Sequence, residues 1–505
     1  MTERLARAKR GRAALRALAL ASLLLPTLPH SALVAQSLSS RVQRTLDAPP
    51  YDRHLWGLAV VDERGKLVAG RNADRMFIPA SNTKLVVAAV AAALLGPDFT
   101  VRTSVYPAGP VQDGVVQGDL VLYGRGDPTF SRRCYAVDTT AAGACDADPM
   151  ARLRALADTL KRRGIRTVAG DVVGDGSYFD DQIVHPGWET YDVNWWYAAP
   201  VSGLGFNDNS LDISYAPAPT LGAPALLAVA PDFGEVRLEN RTQTVAPALE
   251  ETLDFFRVPA TDDLYATGAV AQDSKASTQY FAVRDPSLFT ARAFRRALEE
   301  AGIAVLGGTI STLDSTLYAP ARRGPALAET TSRPARDWIF PVLNTSQNWF
   351  AEMLLKQLGR HVKGEGSWRA GLEVERRFLI DSMGIDSTQF ALSDGSGLAS
   401  TNLVSPLAFT QLLRWMRTHP NYEAFAAALP LSGQRGSLRT RFTSTPLSGR
   451  VRAKTGSIGR VNTLSGYVEQ GNGRVLTFSV QANHHTLPGR QMIAQIDSVV
   501  VELAR

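Results

Sequence analysis

Ser81 and Lys84, in the run PASNTK, stand three residues apart, a spacing that brings two side chains onto one face of a helix. Together they make a nucleophile and a base. A serine hydroxyl is a weak nucleophile at neutral pH and needs a neighbouring proton acceptor. A lysine accepts protons there only if burial or nearby positive charge draws its pKa well below its ordinary value of about 10.4. Such burial is on offer, because residues 85–95 are a nearly unbroken run of Val, Ala and Leu, closed by Gly96-Pro97. Taken alone, the tetrapeptide fits an ordinary capped helix start with a lysine reaching for solvent equally well.

Two later stretches change that balance. Ser400-Thr401-Asn402 follows DGSGLA, and Lys454-Thr455-Gly456 follows the strand-like GRVRA, in the chain order of the SxxK, S-x-N and K-T-G elements of penicillin-recognising enzymes. With GDLVLYGRGDPTF, YAAPVSGLGFNDN, LSDGSGLAS, LPLSGQRGSLRTRF and AKTGSIGRVNTLSGYV, the chain resembles the low-molecular-mass class C penicillin-binding proteins. These are exported D-alanyl-D-alanine carboxypeptidases and endopeptidases. The resemblance covers essentially the whole chain after residue 35, including a large insertion between SxxK and S-x-N that many related beta-lactamases lack.

The resemblance implies Ser81 as the acylated nucleophile and Lys84 as its general base. It implies Ser400 as proton relay to the leaving amine, Asn402 as the group orienting Lys84 and the substrate amide, and Lys454 with Thr455 as holders of the terminal carboxylate. Gly456, lacking a side chain, would let an extended peptide approach the strand edge. The backbone amides of Ser81 and Ser457 are the implied oxyanion donors. The implied partners are peptidoglycan stem peptides and cross-links, with beta-lactams as covalent inhibitors and no metal or organic cofactor. A beta-lactamase and a non-enzymatic wall-binding scaffold are the competing readings.

Around this centre several residues have weaker signals. Ser346 and Asn348 in NTSQNW, with Glu352 one turn on, lie where the family has a helix bordering the site, although buried polar packing explains them too. Arg435 in SGQRG fits either the cleft rim or a solvent-facing turn. Asp180 and Asp181 in SYFDD suit a cationic diamino-acid side chain or a solvated turn. Trp188, Tyr191, Trp195, Trp196 and Tyr197 suit core packing or a surface for glycopeptide.

The elements that must position these groups follow from periodicity. Alternation of Trp56, Leu58 and Val60, then the turn DERGK, predicts a hairpin with one buried face. Residues 448–483 alternate as an antiparallel meander, and Met492, Ile496, Val499 and Leu503 fall on one stripe of a final helix that should pack on the sheet. Between them, strand-like runs separated by Gly, Asp and Pro dominate residues 99–275, with one helix expected over 151–163. The expectation is a multidomain α/β chain. Residues 36–98 and 276–505 would form a DD-peptidase-like transpeptidase fold, an antiparallel sheet flanked by helices, interrupted by a mainly beta insertion over 99–275 in one or two subdomains.

The chain has 505 residues, 45% of them hydrophobic, and a formal charge of +6. Arg4, Arg7, Lys9, Arg10, Arg12 and Arg16 precede the apolar run ALALASLLL and Pro26, the pattern of a secretory signal over residues 1–35 with an uncleaved amphipathic anchor as the alternative. Beyond residue 35 the chain carries 48 basic and 47 acidic side chains, so its basicity lies in the leader and gives no reason to expect nucleic acid. Export, to the periplasm if the source has an outer membrane, is the expected destination, with weak membrane association left open. Cys134 and Cys145 suit a local disulfide in an exported protein or two unrelated thiols. Seven His and two Cys without CxxC or HExxH spacing give no metal site.

Overall fold

A computed structural model describes residues 37–505 apart from 137, 147 and 259. The leader read at residues 1–35 lies outside the described residues. Strands β1 (Leu55–Val61), β2 (Leu67–Arg71), β3 (Val451–Ile458), β4 (Val461–Glu469) and β5 (Val475–Asn483) form one antiparallel sheet in the order β2-β1-β5-β4-β3. The two ends of the chain therefore meet in one sheet, with Trp56 opposite Ala482 and Lys454 opposite Ser465.

Five helices matter for the site: α1 (Leu38–Leu46), α2 (Lys84–Leu94), α3 (Asn348–Lys363), α4 (Pro406–Thr418) and α5 (Gly489–Ala504). The apolar stripes of α1 and α5, including Val42, Met492, Ile496, Val499 and Leu503, pack with Trp56, Leu464 and Val480 on one face of the sheet. On the other face α4 joins a large core with α2 and α3. This differs from the expected one-sided hairpin, since every residue of β1 after Leu55 is buried. The alternation of the large residues holds, but Gly57 and Ala59 between them are buried too, Gly57 against the ring of Phe77.

Helix α2 forms because its residues are apolar on all sides, which suits a helix enclosed by the core. Residues 84–92 are all buried. It stops where Gly96 takes φ +80° ahead of Pro97. The Ser405 side chain caps α4 by accepting from the Ala408 amide at 3.0 Å, with Pro406 at the first helical position.

The inserted region is longer and less purely beta than the periodicity suggested. A five-stranded sheet takes its members from 309–312, 172–175, 120–123, 102–107 and 328–331, in that order. Its first three strands run parallel, and parallel neighbours need crossovers of a dozen or more residues, usually helical. Helices Ala151–Arg162 and Pro286–Glu300 lie in those crossovers and share the core beneath the sheet. The boundary expected at residue 276 thus falls inside the insertion, whose last paired strand is Ala328–Thr331. The remainder of it comprises two three-stranded sheets from residues 210–282 and a small four-stranded sheet from 304–305, 167–168, 115–116 and 111–112. Cys134 and Cys145 are joined by a disulfide.

Candidate active site

The nucleophile turn is a 3-10 helix, Ala80–Thr83, running directly into α2. Neighbouring backbone and side chains fix it from several sides. Thr463 Oγ1 on β4 donates to the Pro79 carbonyl at 2.9 Å, and Asn82 Nδ2 donates to Ser465 Oγ at 2.6 Å. Gly397, at φ +78°, presses on it so closely that a Cβ there would stand 1.9 Å from the Ala80 carbonyl oxygen.

Lys84 is completely buried. Its Nζ lies 2.8 Å from Ser81 Oγ, 2.7 Å from Asn348 Oδ1 and 2.7 Å from the Ser396 carbonyl. Burial draws its pKa down to about 7, although the Asp394 and Glu352 carboxylates pull the other way. The geometry shows what the neutral amine does. Asn348 Nδ2 donates to the Tyr197 carbonyl at 2.7 Å, which turns Oδ1 toward Lys84. That oxygen and the Ser396 carbonyl are pure acceptors, so they take the two N–H bonds of a neutral amine and leave its lone pair facing Ser81 Oγ. This is the arrangement a general base requires.

The S-x-N element at Lys84 is Ser346-Gln347-Asn348, not Ser400-Thr401-Asn402. Asn348 begins α3, and Ser346 sits just before it at φ +65°. Lys454 Nζ donates to Ser346 Oγ at 2.9 Å and to the Thr455 carbonyl at 2.7 Å. Ser400 is exposed. Asn402 is buried in its own loop, accepting from the Ser393 and Asp394 amides and donating to Asp394 Oδ1 and the Ala399 carbonyl.

That loop nevertheless serves the site from behind. Glu352 accepts from the Gly395 and Ser396 amides at 3.0 and 2.7 Å, while Asp394 accepts from the Gly397 and Ala399 amides at 2.7 Å each. Trp368 Nε1 donates to Glu352 and Trp188 Nε1 to Asp394. The two carboxylates hold the loop so that the Ser396 carbonyl meets Lys84. Asp394 and the Ser396 carbonyl carried no motif signal of their own, beyond the glycines around them.

Lys454 is also fully buried, and burial together with the positive charge of Lys84 lowers its pKa well below the ordinary lysine value. Thr455 Oγ1 donates to Ser437 Oγ at 2.8 Å, so the SGQRGS segment meets this strand through Ser437. Arg435 instead gives its guanidinium to the Leu429 and Ala427 carbonyls. Ser457 Oγ accepts from Asn462 Nδ2 at 2.8 Å, at the exposed end of β3.

Gly456 answers a steric demand inside the protein. A Cβ there would lie 2.2 Å from Thr463 Oγ1, 2.7 Å from the Pro79 carbonyl and 3.0 Å from the Ser81 amide. Gly456→Ala must therefore displace the nucleophile turn. The expected result is an acylation rate by a fluorescent penicillin reduced by roughly ten- to a hundredfold, because small displacements of reacting groups carry costs of that order. Unchanged thermal melting would confine the effect to the site.

Asp180 does not face the site as a free carboxylate, because it accepts from the buried ammonium of Lys356 at 2.7 Å. Among the aromatics, Trp188 is buried and Trp195 packs on Phe281 with centroids 4.6 Å apart. Trp196 lines a cavity, and Tyr197 reaches the site through its backbone carbonyl. Among the described residues, no group of three His, Cys, Asp or Glu side chains is placed to hold a metal ion.

The family model for D-Ala-D-Ala carboxypeptidase 3 (S13) matches residues 38–503. The chain belongs to the S13 family. A relative, the D-alanyl-D-alanine carboxypeptidase of Actinomadura sp. strain R39, is 32% identical over 481 residues, covering 92% of this chain and 84% of the relative. D-alanyl-D-alanine carboxypeptidase DacB of Haemophilus influenzae is 25% identical over 424 residues, covering 82% of each chain. The S13 fold is shared with the crystal structure of penicillin binding protein 4 from Haemophilus influenzae, at a TM-score of 0.78 and 22% identity over 92% of this chain and 99% of that one. In this S13 chain Ser81, Lys84 and Asn348 form one hydrogen-bonded cluster, with Lys84 buried and the other two half-buried, and Ser346 beside it bonds to Lys454.

Proposed function

We propose that Ser81 trims D-alanyl-D-alanine stem peptides and opens peptidoglycan cross-links through an acyl-enzyme. The single observation that carries this reading is the hydrogen-bonded Ser81–Lys84–Asn348 cluster, with an amine drawn to about 7. Lys84 removes the hydroxyl proton as Ser81 attacks the carbonyl of the penultimate D-Ala. The backbone amides of Ser81 and Ser457 receive the developing negative charge. Ser346, hydrogen-bonded to Lys454, relays to the departing amine the proton that Lys84 took from Ser81, which leaves Lys84 neutral for the second stage. The C–N bond breaks, and terminal D-Ala or the diamino-acid side chain of a neighbouring stem leaves. Water activated by the same lysine then hydrolyses the ester.

Lys454 and Thr455 hold the terminal carboxylate of the substrate. A buried lysine with a strongly lowered pKa gains its proton most readily when a carboxylate arrives beside it, so recognition and charging of Lys454 are coupled. Beta-lactams occupy the same position and acylate the same oxygen.

The reaction takes place outside the cytoplasmic membrane, in the periplasm if the source has an outer membrane. The basic and then apolar residues 4–25 and the disulfide between Cys134 and Cys145 support that location. Among the described residues, no helix is long and apolar enough to cross a membrane.

The test is intact-protein mass spectrometry after incubation with benzylpenicillin, followed by peptide mapping and a D-Ala release assay on a pentapeptide. The expected outcome is one adduct per chain, mapped to Ser81, with slow deacylation and steady release of D-Ala. Rapid turnover of the drug without D-Ala release would mark a beta-lactamase instead. Neither adduct nor turnover on folded protein would leave a non-enzymatic scaffold.

A further inference from the structure

Beside the acylation centre, the insertion holds a cavity of about 360 Å³, within the ~300–1,000 Å³ span of small-molecule clefts. Its polar walls are two ion pairs, Arg132 with Asp212 and Arg133 with Asp208. Its apolar walls are the rings of Trp196 and Tyr280, set edge to face at 6.5 Å between centroids. The lining is anchored. Ser131 Oγ donates to Asp208 Oδ1 at 2.6 Å, and the disulfide ties down the segment that follows Arg133.

Two connections join this cavity to the chemistry. With its amide oxygen turned toward the guanidinium, Gln347 accepts from Arg133 at 2.8 and 3.0 Å, and Gln347 is the middle residue of the Ser346-Gln347-Asn348 element. Trp196 precedes Tyr197, whose carbonyl holds Asn348. The cavity wall thus reaches the polar groups of the active site twice, once through the Arg133–Gln347 hydrogen bonds and once through the chain itself at Trp196-Tyr197.

The chemistry of the lining selects its ligand. Each guanidinium is matched by a carboxylate, so the four charges sum to zero and neither an anion nor a cation gains a net Coulomb advantage. The paired groups still present donors and acceptors side by side, which suits hydroxyl and acetamido groups that both donate and accept. The aromatic rings give apolar faces for the C–H surface of a pyranose. We infer that this cavity is a subsite for an N-acetylhexosamine unit of the glycan strand whose stem peptide enters the active site.

This inference rests on the peptidase reading for its substrate, and the test separates the two. Wild type, Trp196→Ala and Tyr280→Ala are compared on a free pentapeptide and on the same pentapeptide carried by a GlcNAc-MurNAc disaccharide, and chitotetraose binding is followed by tryptophan fluorescence. Each variant is expected to lose about five- to twentyfold in kcat/KM on the disaccharide substrate, through KM, while the free pentapeptide and benzylpenicillin acylation stay within about twofold. Wild type and Tyr280→Ala keep the fluorescent Trp196, and chitotetraose is expected to change the signal of wild type at concentrations that leave Tyr280→Ala unaffected. Equal losses on both peptides, or no loss on either together with no tetrasaccharide signal, would overturn the subsite. If wild type cleaves neither peptide, the peptidase reading fails, and the tetrasaccharide signal alone decides the cavity.

Discussion

Replacing Lys84 by methionine is expected to slow acylation by benzylpenicillin at least about a thousandfold, since it removes the proton acceptor of a weak nucleophile while keeping most of the side-chain volume. The wild-type acylation rate should rise with pH and level off above about 7, because only the neutral amine presents a lone pair to Ser81. Stopped-flow acylation across pH 5 to 9 reads this ascending limb; a flat profile in wild type would take the base role from Lys84. A second readout comes from stability. The unfolded chain keeps this lysine protonated up to its ordinary pKa of 10.5, whereas the folded chain releases the proton near 7. Between those values the unfolded state binds more protons, so the contribution of Lys84 to stability rises with pH across that window. Wild type should therefore gain denaturant resistance from pH 7 to 10 relative to Lys84→Met.

The placement of the base was legible in the sequence because a polar pair immediately preceded an apolar run, and such a run has few fates other than burial. The C-terminal meander and the stripe of α5 were legible for a similar reason: period and length both agreed with one element. The second motif was not. Ser346-x-Asn348 and Ser400-x-Asn402 both lie between the SxxK and K-T-G elements, so chain order cannot choose between them. What chooses is three-dimensional: Asn348 begins a helix packed against α2, while Asn402 is consumed by hydrogen bonds within its own turn. Asp180 misled in the same way, since a buried lysine 176 residues away had claimed it. The far edge of the insertion was hidden because a helix covering a parallel strand pair has the same amphipathic texture as a helix of the catalytic core.

The two S-x-N elements make opposite predictions under substitution. Asn348→Ala removes the acceptor of a Lys84 N–H and the donor to the Tyr197 carbonyl, so the lysine loses the partner that aims its lone pair. Acylation should fall by about a hundred- to a thousandfold, the scale of losing an oriented polar group at a reacting centre. Ser346→Ala should fall by about a hundredfold, with the larger part in the step that expels the amine, because its hydroxyl is the bridge to Lys454. Ser400→Ala, at an exposed position, should stay within about twofold of wild type in both rate and melting. Asn402→Ala is a different experiment. It strips a buried side chain of four hydrogen bonds and should destabilise the fold by roughly 2–4 kcal/mol, with activity lost only as far as the Ser396 carbonyl drifts from Lys84. Ser400 is therefore the decisive control: a large rate loss on Ser400→Ala in a fully folded protein would return the relay to that loop and sever Ser346 from the mechanism.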